Sequence, residues 1–421
     1  MHKAQQLAAQ AVGQVLAGRN LTQALEEIWR AHPELSPQQH SITQDLSYGA
    51  LRHYGRLQAL LAALVERPLD DDRVRCLLLV ALYQLEYSKA SHYAVVDHAV
   101  SAAAHLKKSW AKGLVNAVLR NFLRRREALL ASLAGNETAV YSYPQWWIAK
   151  LKLQYPDHWQ AVLEAGNRHP PMTLRVNRRR TDPAAYLQTL AQAGIAARSI
   201  GASAVMLTQP LPVDKLPGFA EGLVSVQDAG AQYAAPLLDA HDGMRVLDAC
   251  CAPGGKTGHV LELADVAMTA LDSDADRLIR TRSNLVRLGL AATLLPGDAA
   301  NPHGWWDGQA FDRILADVPC SASDIVRRHV DIKWLRRERD IASFATQQAA
   351  ILRGLWHVLA IGGRLLYVTC SVFSEENQQQ IDAFVNEQKN ARQLPLSGIS
   401  SAQLLPCEEH DGFFYALLEK I

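Results

Sequence analysis

No stretch of this 421-residue chain stays apolar for the roughly 20 residues that a membrane-crossing helix needs. The opening MHKAQQLAAQAVGQVL also lacks the uninterrupted apolar core of a signal peptide. A cytoplasmic protein with no membrane partner is expected. Cysteine is sparse: Cys76, Cys250, Cys251, Cys320, Cys370 and Cys407 include no CxxC pair and no other zinc-like spacing. That pattern points away from a bound metal and from a disulfide framework, so reduced thiols are expected. Internal repeats and low-complexity tracts are missing, and 49% hydrophobic with 20% charged residues does not suit a disordered or fibrous class. Neither GxGxxG nor GxxxxGK[ST] occurs at the glycine-rich loop described below, which disfavours a dinucleotide or a nucleoside triphosphate.

What is present divides by length and pattern into two or three domains. Charge is uneven along the chain. Residues 1–140 carry 16 Lys and Arg against 12 Asp and Glu, residues 141–240 carry 9 against 7, and residues 241–421 carry 18 against 23. Up to about residue 133 the apolar residues recur at helical spacing, as in Leu57, Leu60, Leu61 and Leu64, so residues 1–140 are expected to form an all-α domain. Its last predicted helix, KGLVNAVLRNFLRRREALL, pairs an apolar stripe of Leu114, Val118, Phe122 and Leu129 with Arg120, Arg124, Arg125 and Arg126. Those arginines are either a solvated face or a nucleic-acid contact.

Residues 141–235 read as a small α/β region: short aromatic-rich helices, then a strand, a basic turn and a helix across PMTLRVNRRRTDPAAYLQTLAQAGI. Arg175, Asn177, Arg178, Arg179 and Arg180 there are either an ordinary basic turn or a place for a phosphate backbone. From residue 236 onward, apolar strand cores at Val246–Leu247, Met268–Leu271, Ala292–Leu295, Ile314–Ala316 and Leu365–Val368 alternate with helical stretches, the pattern of a parallel, doubly wound Rossmann-like sheet. Such a sheet binds ligands at the carboxyl ends of its strands.

The first of those ends is DACCAPGGKT. Gly254 and Gly255 allow a tight turn and a close backbone approach to a ligand. Asp272, at the end of the second strand, suits a ribose with free hydroxyls, and Asp298, after the third, can accept from an exocyclic amine such as that of adenine. Together, in that order, they describe a site for S-adenosyl-L-methionine. Two later runs, ILADVPCS and RLLYVTCSVFSEEN, each deliver a Cys-Ser pair, Cys320 and Cys370, to a predicted strand end. Most methyl acceptors need no enzyme thiol. Carbon 5 of a pyrimidine does, because it becomes nucleophilic only when a thiolate adds at carbon 6. A second group must then help a proton leave carbon 5 so that the enzyme is released. Which cysteine plays which part is not decided by spacing.

DACCAPGGKT, DVPCS, RRHVDIKW, TCSVFSEEN, HDGFF and the entry segment LPGFAEGLVSVQDAGAQ resemble the catalytic-domain motifs of the NOL1/NOP2/Sun family of RNA cytosine-5 methyltransferases, particularly its bacterial small-subunit ribosomal RNA members. HYAVVDHAV and KGLVNAVLRNFL resemble the NusB-type RNA-binding domain joined to those enzymes, so the likeness covers essentially the whole chain. The resemblance implies a three-part protein: an all-α NusB-like domain (1–140), a small α/β RNA-binding linker (141–235) and a Rossmann-like methyltransferase domain (236–421). It implies Cys370 as the nucleophile and Cys320 as the residue that assists release. It further implies Cys250, Cys251, Ala252, Pro253, Gly254, Gly255 and Lys256 as the methionine-side cofactor loop, Asp272 and Asp298 as ribose and adenine partners, and Asp317 at the junction of cofactor and base. Asn377, Asp411 and Gly412 lie in matching motifs without assigned roles. The implied reaction is methylation of carbon 5 of one cytosine in 16S ribosomal RNA, naked or in a partly assembled small subunit, by a monomer that does not act on DNA. A transfer RNA substrate is an alternative, as is a non-catalytic RNA-binding assembly or antitermination factor. Two positions depart from the family pattern: Cys251 stands where alanine is usual, and Ser323-Asp324 replaces a glycine-containing turn.

Overall fold

The computed structural model describes residues 1–105 and 110–421. The chain divides into two compact units, one of residues 1–168 with 326–338, the other of residues 169–325 with 339–421.

The first unit is helical. Its elements are α1 (His2–Leu16), α2 (Leu21–Ala31), α3 (Pro37–Arg52), α4 (Tyr54–Leu64), α5 (Asp72–Tyr87), α6 (His92–His105), α7 (Ala111–Ser132), α8 (Glu137–Tyr141), α9 (Gln145–Gln154) and α10 (Trp159–Asn167). Helix starts are written in the sequence. Asn20 caps α2, Ser36 and Gln39 form a reciprocal capping box on α3 with Pro37 in its first turn, and Asp71 caps α5. Leu77, Leu78, Leu79, Val80, Ala81 and Leu82 of α5 are all buried, so the middle of this helix is apolar all round and lies within the core. On α7, Val118, Phe122 and Leu129 are buried as expected, while Arg124 and Arg125 are exposed and Arg126 pairs with Glu86 at 2.8 Å.

Residues 326–338, which contain the motif RRHVDIKW, belong to this helical unit and not to the sheet that carries the neighbouring motifs. Val330 is fully buried in the helical core. Asp331 accepts the backbone N–H of Leu21 at 3.0 Å, satisfying one of the orphan donors at the start of α2. Lys333 is completely buried and donates to the carbonyls of Arg52 (2.8 Å) and Ser142 (2.9 Å) and to Oδ1 of Asn167 (2.7 Å). Lys333 lies on a short helix, Ile332–Leu335.

The second unit holds two sheets. In the smaller one, β1 (Met172–Val176) pairs antiparallel with β3 (Ala204–Leu207) and β4 (Val224–Val226), and β2 (Ala197–Ser199) lies outside β3, against a helix over residues Pro183–Gln192. The expected strand, basic turn and helix are present. The three further strands are only 3 or 4 residues long, too short to show a period in sequence.

The larger sheet has β5 (Arg245–Ala249), β6 (Ala267–Asp272), β7 (Thr293–Pro296), β8 (Phe311–Asp317), β9 (Leu359–Thr369), β10 (Ala391–Leu394) and β12 (Phe413–Lys420) in the order β10-β12-β9-β8-β5-β6-β7, with β11 (Gln403–Leu404) on β12. The five expected strands are mutually parallel, but β12 runs antiparallel to β9, and β10 antiparallel to β12, so the sheet is mixed rather than wholly parallel. Strand order reverses between β5 and β8, a crevice at which open α/β sheets bind ligands. Among the described residues, no helix is long and apolar enough to cross a membrane.

Candidate active site

The loop after β5 is shaped by its own backbone. Cys250 has φ of 63° and Gly254 of 86°, both in the left-handed region, and a Cβ on Gly254 would lie 2.7 Å from Thr281. Cys251 donates its N–H to Leu271 O on β6 and packs, buried, against Ala270 and Leu278, so the extra sulfur occupies an apolar niche. Among the described residues its thiol and that of Cys250 form no disulfide. The helix that starts at Gly255 and ends at Leu263 then carries Lys256 and Thr257. Thr257 Oγ1 donates to Asp248 Oδ2 at 2.5 Å, while the other oxygen of this buried carboxylate has no partner. Burial pushes the Asp248 pKa up to about 7.

Asp272 is buried at the end of β6 and holds the loop: its Oδ2 accepts the N–H of Ala252 at 3.0 Å and its Oδ1 that of Asp274 at 3.1 Å. Arg277, 3.5 Å from Asp272, donates to the carbonyl of Ala252. Pro253 is exposed in this loop. Asp298 is exposed beyond β7, with Oδ1 accepting from Ala300 N–H in a tight turn.

At the ends of β8 and β9 lie the charged and sulfur groups. Asp317 Oδ2 is 2.5 Å from Lys256 Nζ. Burial pulls the Lys256 pKa down, but the charge and hydrogen bond of Asp317 outweigh it and the net shift is upward. Cys320 Sγ lies 3.5 Å from Cys370 Sγ. The contact with Cys320, and then burial, hold the Cys370 thiol well above the usual cysteine range, while Lys256 opposes the shift. Of the residues singled out in the sequence, the fold thus joins Lys256 with Asp317, Cys320 with Cys370, and Asp272 with the loop from Cys250. It leaves Asp298 at the outer, β7 side of the sheet.

The loop after Cys320 keeps a left-handed residue, Ala322 with φ of 58°. Its neighbour Ser323 accepts the N–H of Val372 at 2.8 Å, and Asp324 accepts from Gln403 Nε2 at 3.0 Å, so Ser323-Asp324 fasten the loop by side chains. Gly412 explains itself here: a Cβ would stand 2.2 Å from Asp324 Cγ. Asp411 donates its N–H to the carboxylate of Asp228, which also caps Gly230 N–H. Asn377 bridges Thr369, Ser371 and Gln403.

Two features went unseen in sequence. Glu376 is fully buried and bonded to the serine that follows each cysteine; it lies inside the quoted motif TCSVFSEEN, but nothing there marked it apart from its neighbours. Arg175 was placed with the phosphate-binding candidates, but it is completely buried. It pairs with Glu262 at 2.7 Å and donates to the carbonyl of Gly255 at 2.5 Å. Asn177 is likewise buried and bonds Gly222 O, leaving Arg178, Arg179 and Arg180 as the exposed cations of that turn.

A mixed sheet of this order, with a glycine loop after its first strand and acids closing the next strands, defines a methyltransferase domain. The residues fit S-adenosyl-L-methionine as its cofactor. Gly255 meets nothing closer than Gln227 Nε2 at 3.7 Å where a Cβ would be, which leaves room at a helix N-terminus, and Asp248 offers a buried acceptor without a partner. The family models agree with the three-part likeness. Residues 235–419 match "16S rRNA methyltransferase RsmB/F", residues 143–214 a "Methyltr_RsmF/B-like, ferredoxin-like domain" and residues 2–124 the "NusB family". The ribosomal RNA small subunit methyltransferase B of Pseudomonas syringae pv. tomato is 47% identical over 90% of this chain and 89% of that protein. The protein of the same name from Pseudomonas putida is 46% identical over 98% of each. The crystal structure of a methyltransferase homologue from Pyrococcus horikoshii, 27% identical, covers 68% of this chain and 97% of its own, with a TM-score of 0.60. The chain belongs to the family of 16S rRNA methyltransferases RsmB/F.

Proposed function

We propose that this enzyme methylates carbon 5 of a cytosine in 16S ribosomal RNA through a covalent cysteine adduct. The observation that carries the reading is the pair of thiols 3.5 Å apart, beside the Lys256–Asp317 ion pair, at the ligand-binding ends of β8 and β9. The names of the relatives support ribosomal RNA of the small subunit as the substrate.

S-adenosyl-L-methionine supplies an electrophilic methyl group. The rest falls to the protein. Cys370, as thiolate, adds to carbon 6 of the cytosine and converts carbon 5 into a nucleophile. Lys256 opposes the upward shift of this thiol's pKa and lies on the loop assigned to the methionine end of the cofactor. Asp317 holds the base edge or the amino end of the cofactor. After transfer, Cys320, in contact with Cys370, assists loss of the carbon 5 proton, and expulsion of the Cys370 sulfur frees the product. The target base must leave its stack, since neither ring face is open to a thiol while stacked. Asp272 and Asp298 take the ribose and adenine ends of the cofactor, and Cys250 to Lys256 its methionine end. The matched segments starting at residues 2, 143 and 235 support a functional division into RNA-binding, linker and catalytic parts at about residues 140 and 235. The exposed Arg120, Arg124 and Arg125 and Arg178 to Arg180 are the cations left to meet phosphates.

The test is a denaturing gel of protein mixed with 16S ribosomal RNA and S-adenosyl-L-methionine. Cys320→Ala is expected to trap a slow-migrating covalent complex and Cys370→Ala to give none. Trapping by Cys370→Ala would reverse the two roles. Absence of any adduct, with no methyl transfer by the wild type to ribosomal or transfer RNA, would reject the reading.

A further inference from the structure

Both cysteines sit one residue before a serine, and both serines reach the same carboxylate. Ser321 donates its backbone N–H to Glu376 Oε1 at 2.8 Å and its hydroxyl to Oε2 at 2.6 Å. Ser371 donates its hydroxyl to Oε2 at 2.5 Å. Gln348 Nε2 adds a fourth bond, to Oε1 at 3.1 Å, and also holds the carbonyl of Pro319 at 3.0 Å, on the other side of Cys320. The two serine hydroxyls lie 3.1 Å apart, each 3.1 Å from Ser323 Oγ, which accepts the N–H of Val372. Glu376, Ser321 and Ser371 are fully buried.

Four donors fill the acceptor sites of a carboxylate. Among the described residues no cation pairs with Glu376, so neutral donors alone hold a group whose burial is costly. A structural staple could be apolar, and an apolar cluster of equal volume would avoid that cost. What the carboxylate adds is direction. It draws the residue after each thiol to one point, tying the loop after β8 to the loop after β9 across the sheet.

We infer that Glu376 is a positioning residue that sets the separation of the Cys320 and Cys370 sulfurs through Ser321 and Ser371, so that attack and release share one geometric control. The inference rests on the two-cysteine reading above. Reacting atoms tolerate little displacement, since a shift of about 1 Å costs on the order of a hundredfold in rate. Each serine should therefore govern the step of its own cysteine. Glu376→Gln preserves the arrangement: its carbonyl oxygen still accepts from Ser321 N–H and Gln348, and its amide can donate to the two hydroxyls once they turn.

The experiment follows formation and decay of the covalent complex in a single turnover with 16S ribosomal RNA and S-adenosyl-L-methionine, using variants matched to wild type in melting temperature and cofactor binding. Ser371→Ala is expected to slow formation about tenfold or more with decay little changed, and Ser321→Ala to slow decay, accumulating the complex. Glu376→Ala should slow both steps, and Glu376→Gln should restore both. A second readout needs neither RNA nor cofactor: with diamide as oxidant, the two thiols lose their hydrogens to it and close a Cys320–Cys370 disulfide, detected by peptide mapping. Closure should be fast in wild type and Glu376→Gln and about tenfold slower or more in Glu376→Ala. Unchanged rates in folded Glu376→Ala, or equal effects of both serine variants on both steps, would overturn the inference. If Glu376→Ala does not fold, the two serine variants decide the matter. Failure of wild type itself to form a complex would instead reject the two-cysteine reading.

Discussion

Arg175 and Glu262 form an ion pair with both side chains essentially excluded from solvent, 0% and 1% exposed, at an N···O distance of 2.7 Å. The arginine comes from the small sheet and the glutamate from the helix that follows the glycine loop, and the same guanidinium holds the carbonyl of Gly255 and Gln227 Oε1. Removing one partner leaves the other charge buried and alone. Arg175→Ala or Glu262→Ala is expected to cost about 3–5 kcal/mol in urea unfolding. Arg175→Ala should also weaken S-adenosyl-L-methionine binding in calorimetry, because it releases the Gly255 carbonyl. A phosphate-contact role would predict the opposite pattern, normal stability with weakened, salt-dependent RNA binding.

Asp248 gives a pH signature. Its pKa rises by burial from 3.8 to about 7, so between those values the folded chain binds a proton that the unfolded chain has lost. Stability from this group is therefore full below about pH 4 and declines as pH rises toward 7. Asp248→Asn should remove that decline, and the difference in unfolding free energy between wild type and variant, measured from pH 4 to 8, should change steadily up to about 7 and then level off.

Lys333 tests the placement of RRHVDIKW in the helical unit. Burial, and then the charge of Arg52, hold its pKa well below the usual lysine range, and three oxygens depend on its donors. Lys333→Met keeps most of the volume but leaves those oxygens without their lysine donor, and a loss of about 3 kcal/mol or more is expected in denaturant unfolding. A near-neutral result would show that this segment does not depend on the lysine.

Cys407 is exposed and its pKa is lowered: burial opposes the shift, but hydrogen bonding with His410 and backbone N–H groups outweighs it. His410 is correspondingly raised to about 9. Iodoacetamide at pH 7 should label Cys407 ahead of the buried Cys76 and Cys251 and the half-buried Cys250 and Cys370, all four with raised pKa values. His410→Gln should slow that labelling, as read by peptide mass spectrometry.

Four of the five parallel strands were legible because buried strands leave continuous apolar runs, the edge strand β7 because Leu294 and Leu295 keep an apolar pair although none of its residues is buried, and the loop after β5 because glycine and acidic residues there answer local demands of turn and strand end. Caps such as Asn20, Ser36 and Asp71 were equally local. The short strands β2, β3 and β4 were not, nor was the antiparallel course of β12, since pairing direction is settled by partners distant in sequence.

What the sequence by itself determined was the set of chemical groups and the strand ends that present them: two Cys-Ser pairs, a glycine loop, and a series of aspartates. Tertiary structure alone decided which groups meet. Arg175 looks like its exposed neighbours in sequence but is buried, because Glu262, 87 residues away, neutralises it. Glu376 looks like any acid in an acidic stretch but is buried, because Ser321, 55 residues away, supplies two of its four donors. A charged side chain enters a core only where partners compensate its lost hydration, and those partners are brought together by the fold.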